Sequence, residues 1–316
     1  TIELFNSSLT EKTKMRGLIE ILANASEFED LPIRHKEDRV LQKLAMHLPV
    51  KIERPDFFST ATKVNILLQC HFSRRELPID LMEDQKLVLA KVPELLQAMV
   101  DIISTSGWLA PCIAAMELSQ MIVQAVWDSE SVFRQLPHFS TDLITRLTKM
   151  EPECETIFDL LGMDDKRRNS ILQLGKREMA DVARVCNRFP NIEVQHQLNS
   201  DSVPAGSKAT LLVKLERELD EGETSVGPVH APFFPKKKVE NWWLIVGDQK
   251  ENKVLVVKRI PLANASQMVK LEFSAPEKLG PANLTLSLIA DSWIGCDQEY
   301  DVEFEVIEAE EGEDEE

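Results

Sequence analysis

The chain has no lysine or arginine between Lys91 and Arg134, although its 316 residues include 36 of these cations. Within this gap, the segment from Trp108 to Trp127 is apolar at almost every position, which predicts a buried central helix. Its polar residues share the i, i+3 and i+7 spacing of one helical face: Glu117, Gln120 and Gln124. Any contact between that face and a nucleic-acid backbone would have to be made without a cation.

Several catalytic motifs are also missing. The sequence has no GxxxxGK[S/T] phosphate-binding loop, no HExxH zinc motif and no GxSxG nucleophile motif. Its six histidines are scattered over different predicted elements, and its five cysteines include no CxxC pair. Such cysteine usage is typical of a reducing compartment and argues against disulfides and a zinc site. The sequence therefore predicts no catalytic residue, no metal ligand and no cofactor.

The chain also lacks an N-terminal signal peptide and a run of about 18 uncharged apolar residues, so we expect no membrane segment. Its net charge is −17. Non-specific binding to nucleic acid depends mainly on lysine and arginine beside phosphates. A chain this acidic is therefore expected to bind nucleic acid weakly or not at all by itself, and protein partners are favoured.

Helical periodicity of apolar residues dominates the first part of the chain, up to Arg188. Residues 1–130 are predicted to form a helical bundle, in which Pro93 kinks or breaks one helix. Residues 131–190 are predicted to form a small helix-loop-helix domain, with helices that begin after Ser140 and at Asp164. The fold class is therefore multidomain, with α structure first.

After Pro190 the apolar period changes to two, which predicts strands. Seven segments show it: 192–198, 211–215, 243–245, 254–260, 269–273, 284–288 and 300–306. Seven short strands without intervening helices predict a β-sandwich of fibronectin or immunoglobulin type over residues 191–307. The absence of a Cys–Trp–Cys spacing favours the fibronectin type. Residues 308–316 are predicted to be a disordered acidic tail.

A proline-rich and aromatic segment, residues 227–238, leads into Trp242 and Trp243. Since successive strand residues point to opposite faces, one of these tryptophans is expected inside the sandwich and the other outside it. The outer one either packs beneath the segment or against the helices, or belongs to a protein-binding patch with a basic rim. The candidate patch comprises Phe233, Phe234, Lys236, Lys237, Lys238, Trp242 and Trp243.

Six motifs, in this order along the chain, resemble one known family. They are LPIRHKED (31–38), LLQCHFSR (67–74), LPHF (136–139), VCNRFPNIEV (185–194), GPVHAPFFP with WWLIVGD (227–248) and GCDQEY (295–300). The chain resembles the Sec sixty-three homology unit that follows the motor domains of large superfamily 2 RNA and DNA helicases, and it is most similar to the spliceosomal members. The resemblance covers nearly the whole chain and implies the same order of helical bundle, helix-loop-helix and sandwich.

In active helicases of this family, basic and polar side chains on the central helix grip the translocating strand. The resemblance therefore implies that Glu117, Gln120 and Gln124 form a degenerate nucleic-acid stripe. In spliceosomal members with two tandem helicase cassettes, the C-terminal cassette is inactive, regulates the first and docks splicing factors. The expected function is then a non-catalytic, nuclear interaction module within an ATP-dependent RNA helicase.

The resemblance also implies partners: the large U5 scaffold protein, other splicing helicases, disassembly factors and the motor domains of the same polypeptide. One alternative is a nucleic-acid-gripping domain of an active superfamily 2 helicase. Another is the translocation component of the endoplasmic reticulum that shares this unit. That component spans the membrane and carries a chaperone-recruiting domain, and neither is visible in this sequence.

Overall fold

The computed structural model describes residues 1–150, 154–219, 225–262 and 264–309. Most of the predicted acidic tail, 310–316, lies outside these described residues. In the described part, ten α-helices precede eight β-strands. The change from helix to strand falls between Cys186 and Ile192, as the periodicity predicted. A helical region followed by a β region is therefore confirmed.

The helices differ widely in length, from 6 to 27 residues. They are α1 Ile2–Ser8, α2 Met15–Ala23, α3 Glu37–Ala45, α4 Thr60–Phe72, α5 Ile79–Thr105, α6 Leu109–Gln124, α7 Thr141–Thr148, α8 Ile157–Gly162, α9 Asp165–Leu172 and α10 Lys176–Cys186. Ser140 caps α7 by accepting a hydrogen bond from the backbone N–H of Leu143, and Asp164 caps α9 in the same way. Both predicted helix starts are confirmed.

Two helices form the centre of the bundle. The predicted apolar helix is α6, in which twelve of sixteen residues are buried. Helix α4 is more completely enclosed, because every residue from Thr62 to Phe72 is buried between α2, α3, α5 and α6. Helix α5 continues through Pro93 for 27 residues. The predicted interruption at this proline is therefore not a helix end.

The strands form two sheets. They are β1 Ile192–Leu198, β2 Ser202–Pro204, β3 Lys208–Arg217, β4 Trp242–Asp248, β5 Lys253–Ile260, β6 Ser266–Ser274, β7 Gly280–Ala290 and β8 Gln298–Ile307. The three-stranded sheet has the order β1-β3-β6 and the five-stranded sheet has the order β2-β8-β7-β4-β5. All seven predicted strands are present, and β2, the short eighth strand, pairs parallel to β8. The fibronectin-type assignment remains a prediction.

Two apolar cores hold the described residues together, and neither is confined to one predicted domain. One core joins α7–α10 to the facing sides of both sheets. The other fills the bundle and also takes in Trp243, Ile245 and Ile289 from the opposite side of the five-stranded sheet. Strand β4 is therefore covered on both faces, which explains its unbroken apolar sequence.

Candidate protein-interaction surface

The tryptophan pair at the start of β4 points in opposite directions, but both side chains are buried. Trp242 lies in the core of the sheets and Trp243 lies in the core of the bundle. They are 0% and 1% exposed, respectively. The alternation of a strand explains this arrangement, because the bundle covers the outer face of β4. Neither tryptophan can therefore belong to an exposed patch, and that part of the predicted surface is wrong.

Trp242 is held by a buried carboxylate that the sequence did not reveal. Glu240, 2% exposed, accepts hydrogen bonds from the indole N–H groups of Trp242 (3.0 Å) and Trp293 (2.9 Å). It also forms an ion pair with the buried guanidinium of Arg217. A buried carboxylate requires such partners, since an unpaired charge in the interior is strongly unfavourable. This network ties the end of β3 to the start of β4.

The segment that precedes β4, residues 227–238, is named here the junction loop because it crosses from the sheets to the bundle. Phe234 is 9% exposed and packs into the core of the bundle. Phe233 is 46% exposed, and the guanidinium carbon of Arg74 lies 4.3 Å from its ring centroid. Phe234 therefore anchors the loop, whereas Phe233 presents an aromatic ring at the surface.

The three lysines of the junction loop have different environments. Lys238 is half-buried and forms an ion pair of 2.5 Å with Asp291, which is buried. Lys236 is exposed, and its ammonium group lies 3.3 Å from the carbonyl oxygen of Ala90 in α5. Lys237 is exposed and makes no ion pair with any described residue. Lys238 is therefore structural, and Lys236 and Lys237 are available to a partner.

The degenerate nucleic-acid stripe expected on α6 is mostly an internal contact. The side-chain amide of Gln120 donates to the carbonyl oxygen of Ala290 (2.9 Å) and to the carboxylate of Asp297 (2.7 Å). The amide of Gln124 donates to the carbonyl oxygen of Ser292 (2.6 Å). Both glutamines are buried, at 4% and 1% exposure. We name this contact between α6 and the end of β7 the α6 seam.

Glu117 is the one member of the predicted stripe that is exposed, and its surroundings are acidic. Loss of hydration and the negative charge of Asp128 raise its pKa. The pKa of Asp297 is raised to about 6, first by loss of hydration and then by Glu117 and Glu299, although Asp297 accepts hydrogen bonds from Gln120 and Ala290. The open end of the stripe therefore carries a negative potential.

A buried charge cluster, which the sequence did not reveal, lies in the bundle. The ammonium of Lys63, which is 0% exposed, lies 2.8 Å from the carboxylate of Glu37 and 2.6 Å from that of Asp84. Arg34 forms ion pairs with the same two carboxylates. Burial alone would raise the pKa of Asp84, but hydrogen bonds from Arg34 and Lys63 lower it overall. Two cations and two carboxylates balance, so the cluster has no net charge, and loss of one member would leave a buried charge without its partner.

The described part of the chain contains no group of three or more histidine, cysteine or carboxylate side chains that could hold a metal ion. None of its helices is long and apolar enough to cross a membrane. All five cysteines are buried, and burial raises the pKa of Cys112 to about 12 and that of Cys186 to about 11. These thiols are therefore poor nucleophiles at neutral pH.

Comparison with known proteins identifies the family. The Sec63 Brl domain family matches residues 1–303. The U5 small nuclear ribonucleoprotein 200 kDa helicase of Homo sapiens is 47% identical over 311 residues, which cover 98% of this chain and 14% of the helicase. Its counterpart in Drosophila melanogaster is 46% identical over 312 residues, covering 97% of this chain and 14% of the helicase.

A third relative carries a different name. The activating signal cointegrator 1 complex subunit 3-like protein of Dictyostelium discoideum is 46% identical over 310 residues, with 96% of this chain and 14% of that protein covered. The chain thus spans only 14% of the length of the curated relatives that it matches. The family match and these identities confirm the resemblance seen in the sequence. The chain belongs to the Sec63 Brl domain family, and its homologues include the U5 RNA helicases of animals.

Proposed function

We propose that the chain is a non-catalytic interaction and regulatory module at the C-terminus of a spliceosomal U5 RNA helicase, in its second and inactive cassette. The observation that carries this proposal is the α6 seam. Gln120 and Gln124 donate their amides to the end of β7 and to the residues that follow it, so the face of α6 on which a translocating strand would lie is closed. A module in which this face of α6 is closed is better suited to docking proteins than to gripping RNA.

The electrostatics of the seam favour the same function. Glu117 is the exposed member of the stripe, and Asp128 and Asp297 lie close enough to interact with it electrostatically. All three side chains can carry a negative charge. Phosphate groups are repelled by such a surface, and no lysine or arginine of α6 could compensate. The alternative function, a nucleic-acid-gripping domain of an active helicase, would need cations at this place.

The exposed part of the junction loop is the surface that we assign to partners. Phe233 supplies an aromatic ring, and Lys236 and Lys237 supply charge at its rim. The anchoring of Phe234 and the ion pair of Lys238 with Asp291 hold the loop in place. A rigid loop loses little conformational entropy when it binds, which favours affinity. The partners that we expect are nuclear: the large U5 scaffold protein, other splicing helicases and disassembly factors.

Affinity capture tests this function. The tagged chain is incubated with nuclear extract treated with ribonuclease, and captured proteins are quantified by mass spectrometry. We expect the named splicing proteins to be enriched, and we expect the variant Phe233→Ala with Lys237→Glu to capture several-fold less. The exposed variant Lys250→Glu serves as the control and should capture as much as the unaltered chain.

Two measurements on the purified chain separate the proposed function from the alternative. We expect no ATP turnover and no measurable affinity for a fluorescent oligo-uridine at physiological salt. Binding of oligo-uridine that weakens steeply with salt, with a slope of several phosphates, together with no enrichment of splicing proteins, would establish the nucleic-acid function instead. A regulatory role further predicts that deletion of this module changes the unwinding rate of the complete helicase.

A further inference from the structure

The junction loop lies among cations that have few carboxylate partners. Arg74 in the α4–α5 connection, Arg188 after α10 and His230 of the loop itself are all half-buried. Burial, and then the nearby positive charges of Arg188 and Arg74, lower the pKa of His230, so its imidazole is neutral near pH 7 and the charge around the loop comes from the arginines and lysines. This concentration of positive charge is unusual in a chain whose net charge is −17.

The geometry makes these groups one continuous surface. A Cβ atom added to Gly227 would lie 3.5 Å from the Nε atom of Arg188, so the loop begins against that guanidinium. Six residues later, Phe233 stacks on Arg74. Lys236 then reaches the backbone of α5 at Ala90. The loop therefore runs from one cation to the next across the junction of helices α7–α10, the sheets and the bundle.

Most of these cations form no ion pair with any of the described residues. Arg74 donates to the backbone carbonyl oxygens of Gln124, Ala125 and Arg134, and the nearby carboxylate of Glu130 is paired with Arg134. Among the described residues, Arg188, Lys236 and Lys237 form no ion pair, and the nearby Asp181 is already paired with His138 and Arg184. Several cations with no ion-pair partner in the described part of the chain, beside an exposed aromatic ring, are electrostatically complementary to an acidic ligand.

We propose that this surface, formed by Arg74, Arg188, His230, Phe233, Lys236 and Lys237, binds a short acidic peptide segment of a partner protein that carries an aromatic or aliphatic side chain. The carboxylates pair with Arg188 and the two lysines, and the apolar side chain packs on the exposed face of Phe233. This proposal rests on the proposed function, since it names the chemistry of the partner at the same loop.

An acidic peptide fits this surface better than RNA does. RNA affinity grows with the number of phosphates that a continuous basic track neutralises. Here the track ends at the α6 seam, where Glu117 and Asp297 are acidic and the glutamines are buried. The cations follow one loop of twelve residues, and the exposed ring of Phe233 lies beside one of them, Arg74. A short acidic peptide can pair with the cations and also pack on Phe233. It is too short to extend over the acidic remainder of the chain.

Fluorescence anisotropy tests the proposal directly on the 316-residue chain. The probe is a short fluorescein-labelled peptide of Asp and Glu around one Phe, and the matched probe replaces the acids with Asn and Gln. The double variant Arg188→Glu with Lys237→Glu removes two of the proposed ion pairs with the peptide. The control Lys250→Glu with Lys278→Glu makes the same change in net charge at two exposed lysines outside the surface. Circular dichroism melting verifies that both variants are folded.

We expect the acidic probe to bind and the matched amide probe to bind at least about tenfold more weakly. The first double variant should weaken binding about tenfold or more, the control should change it less than about threefold, and Phe233→Ala should weaken it several-fold. No binding of the acidic probe, equal loss in both double variants, or tighter binding of oligo-uridine than of the acidic probe would overturn the proposal. If splicing proteins are still captured after such a result, the proposed function stands and only the acidic-peptide assignment fails.

Discussion

The guanidinium of Arg74 stacks on the ring of Phe233 at 4.3 Å and also closes the C-terminal end of α6. It donates to the carbonyl oxygens of Ala125 (2.9 Å) and Gln124 (3.1 Å), which no longer have partners within the helix. Ala125 ends α6 in the left-handed conformation, with φ of 51°. One side chain therefore stabilises the end of the central helix and supports the exposed aromatic ring of the junction loop.

Arg74→Lys should destabilise the chain although the charge is retained. Lysine cannot place several donors in the fixed plane of a guanidinium, so at least one carbonyl oxygen at the end of α6 loses its partner. We expect the free energy of unfolding in urea to fall by about 2 kcal/mol. Arg75→Lys is the matched control, because Arg75 is exposed and donates once, to the carbonyl oxygen of His47. Equal effects of the two substitutions would contradict this role of Arg74.

Gln124→Met tests the α6 seam. The substitution keeps the volume and shape of the side chain but leaves the carbonyl oxygen of Ser292 without its donor. An unsatisfied buried acceptor is expected to lower the free energy of unfolding by about 1–3 kcal/mol. Gln197→Met, at an exposed position of β1, should change it by less than about 0.5 kcal/mol. If Gln124→Met is as mild as the control, the amide does not hold the seam together.

His71 should make the stability of the bundle depend on pH. Burial lowers the pKa of His71 to about 4, although its hydrogen bond with the carbonyl oxygen of Ile122, 2.7 Å long, acts in the opposite direction. The unfolded chain binds this proton near pH 6.5 and the folded chain only near pH 4. Stability from the neutral imidazole is therefore complete above pH 6.5 and is lost as the pH falls towards 4, by about 3 kcal/mol in all.

Replacement of the imidazole by an uncharged donor isolates this contribution. His71→Gln retains an N–H group for Ile122 but does not titrate, so its free energy of unfolding should be flatter between pH 7 and pH 4.5. His47→Gln is the control, since His47 is exposed. Urea unfolding at several pH values measures both. A slope that is the same in His71→Gln as in the unaltered chain would assign the pH dependence to other groups.

Lys63→Met should be among the most damaging single substitutions in the bundle. It leaves the buried carboxylates of Glu37 and Asp84 with Arg34 as their one cationic partner among the described residues. Removing one member of a buried ion network typically costs about 3–5 kcal/mol. Adding Asp84→Asn restores the charge balance and should recover part of the loss. Lys86→Met, in an exposed pair with Glu83, is the control and should cost less than about 1 kcal/mol. Additive losses in the double variant would argue against a coupled cluster.

The local periodicities of the chain were sufficient for much of the fold. The positions of α6, of the capped starts of α7 and α9, and of seven strands follow from residues near one another in sequence. Strand β2 was missed because three residues carry too little pattern. Glu240 and Lys63 gave no signal as buried charges, because their partners lie on other elements. Only the position of Glu240, two residues before Trp242, could have suggested its role.

Some features of the candidate site could likewise be predicted from the sequence, and others depended on the tertiary structure. The sequence by itself determined the order of helix and strand, the family and the absence of cations on α6, because these depend on residue type and local spacing. Only the tertiary structure decided that Trp243 enters the bundle, that Phe233 stays exposed, and that Gln120 and Gln124 are buried. The donor and acceptor of the Gln124–Ser292 bond are 168 residues apart, and the face against which a side chain packs depends on such distant segments. Burial is therefore a property of the assembled fold, and it places Gln120 and Gln124 of the expected stripe in the α6 seam.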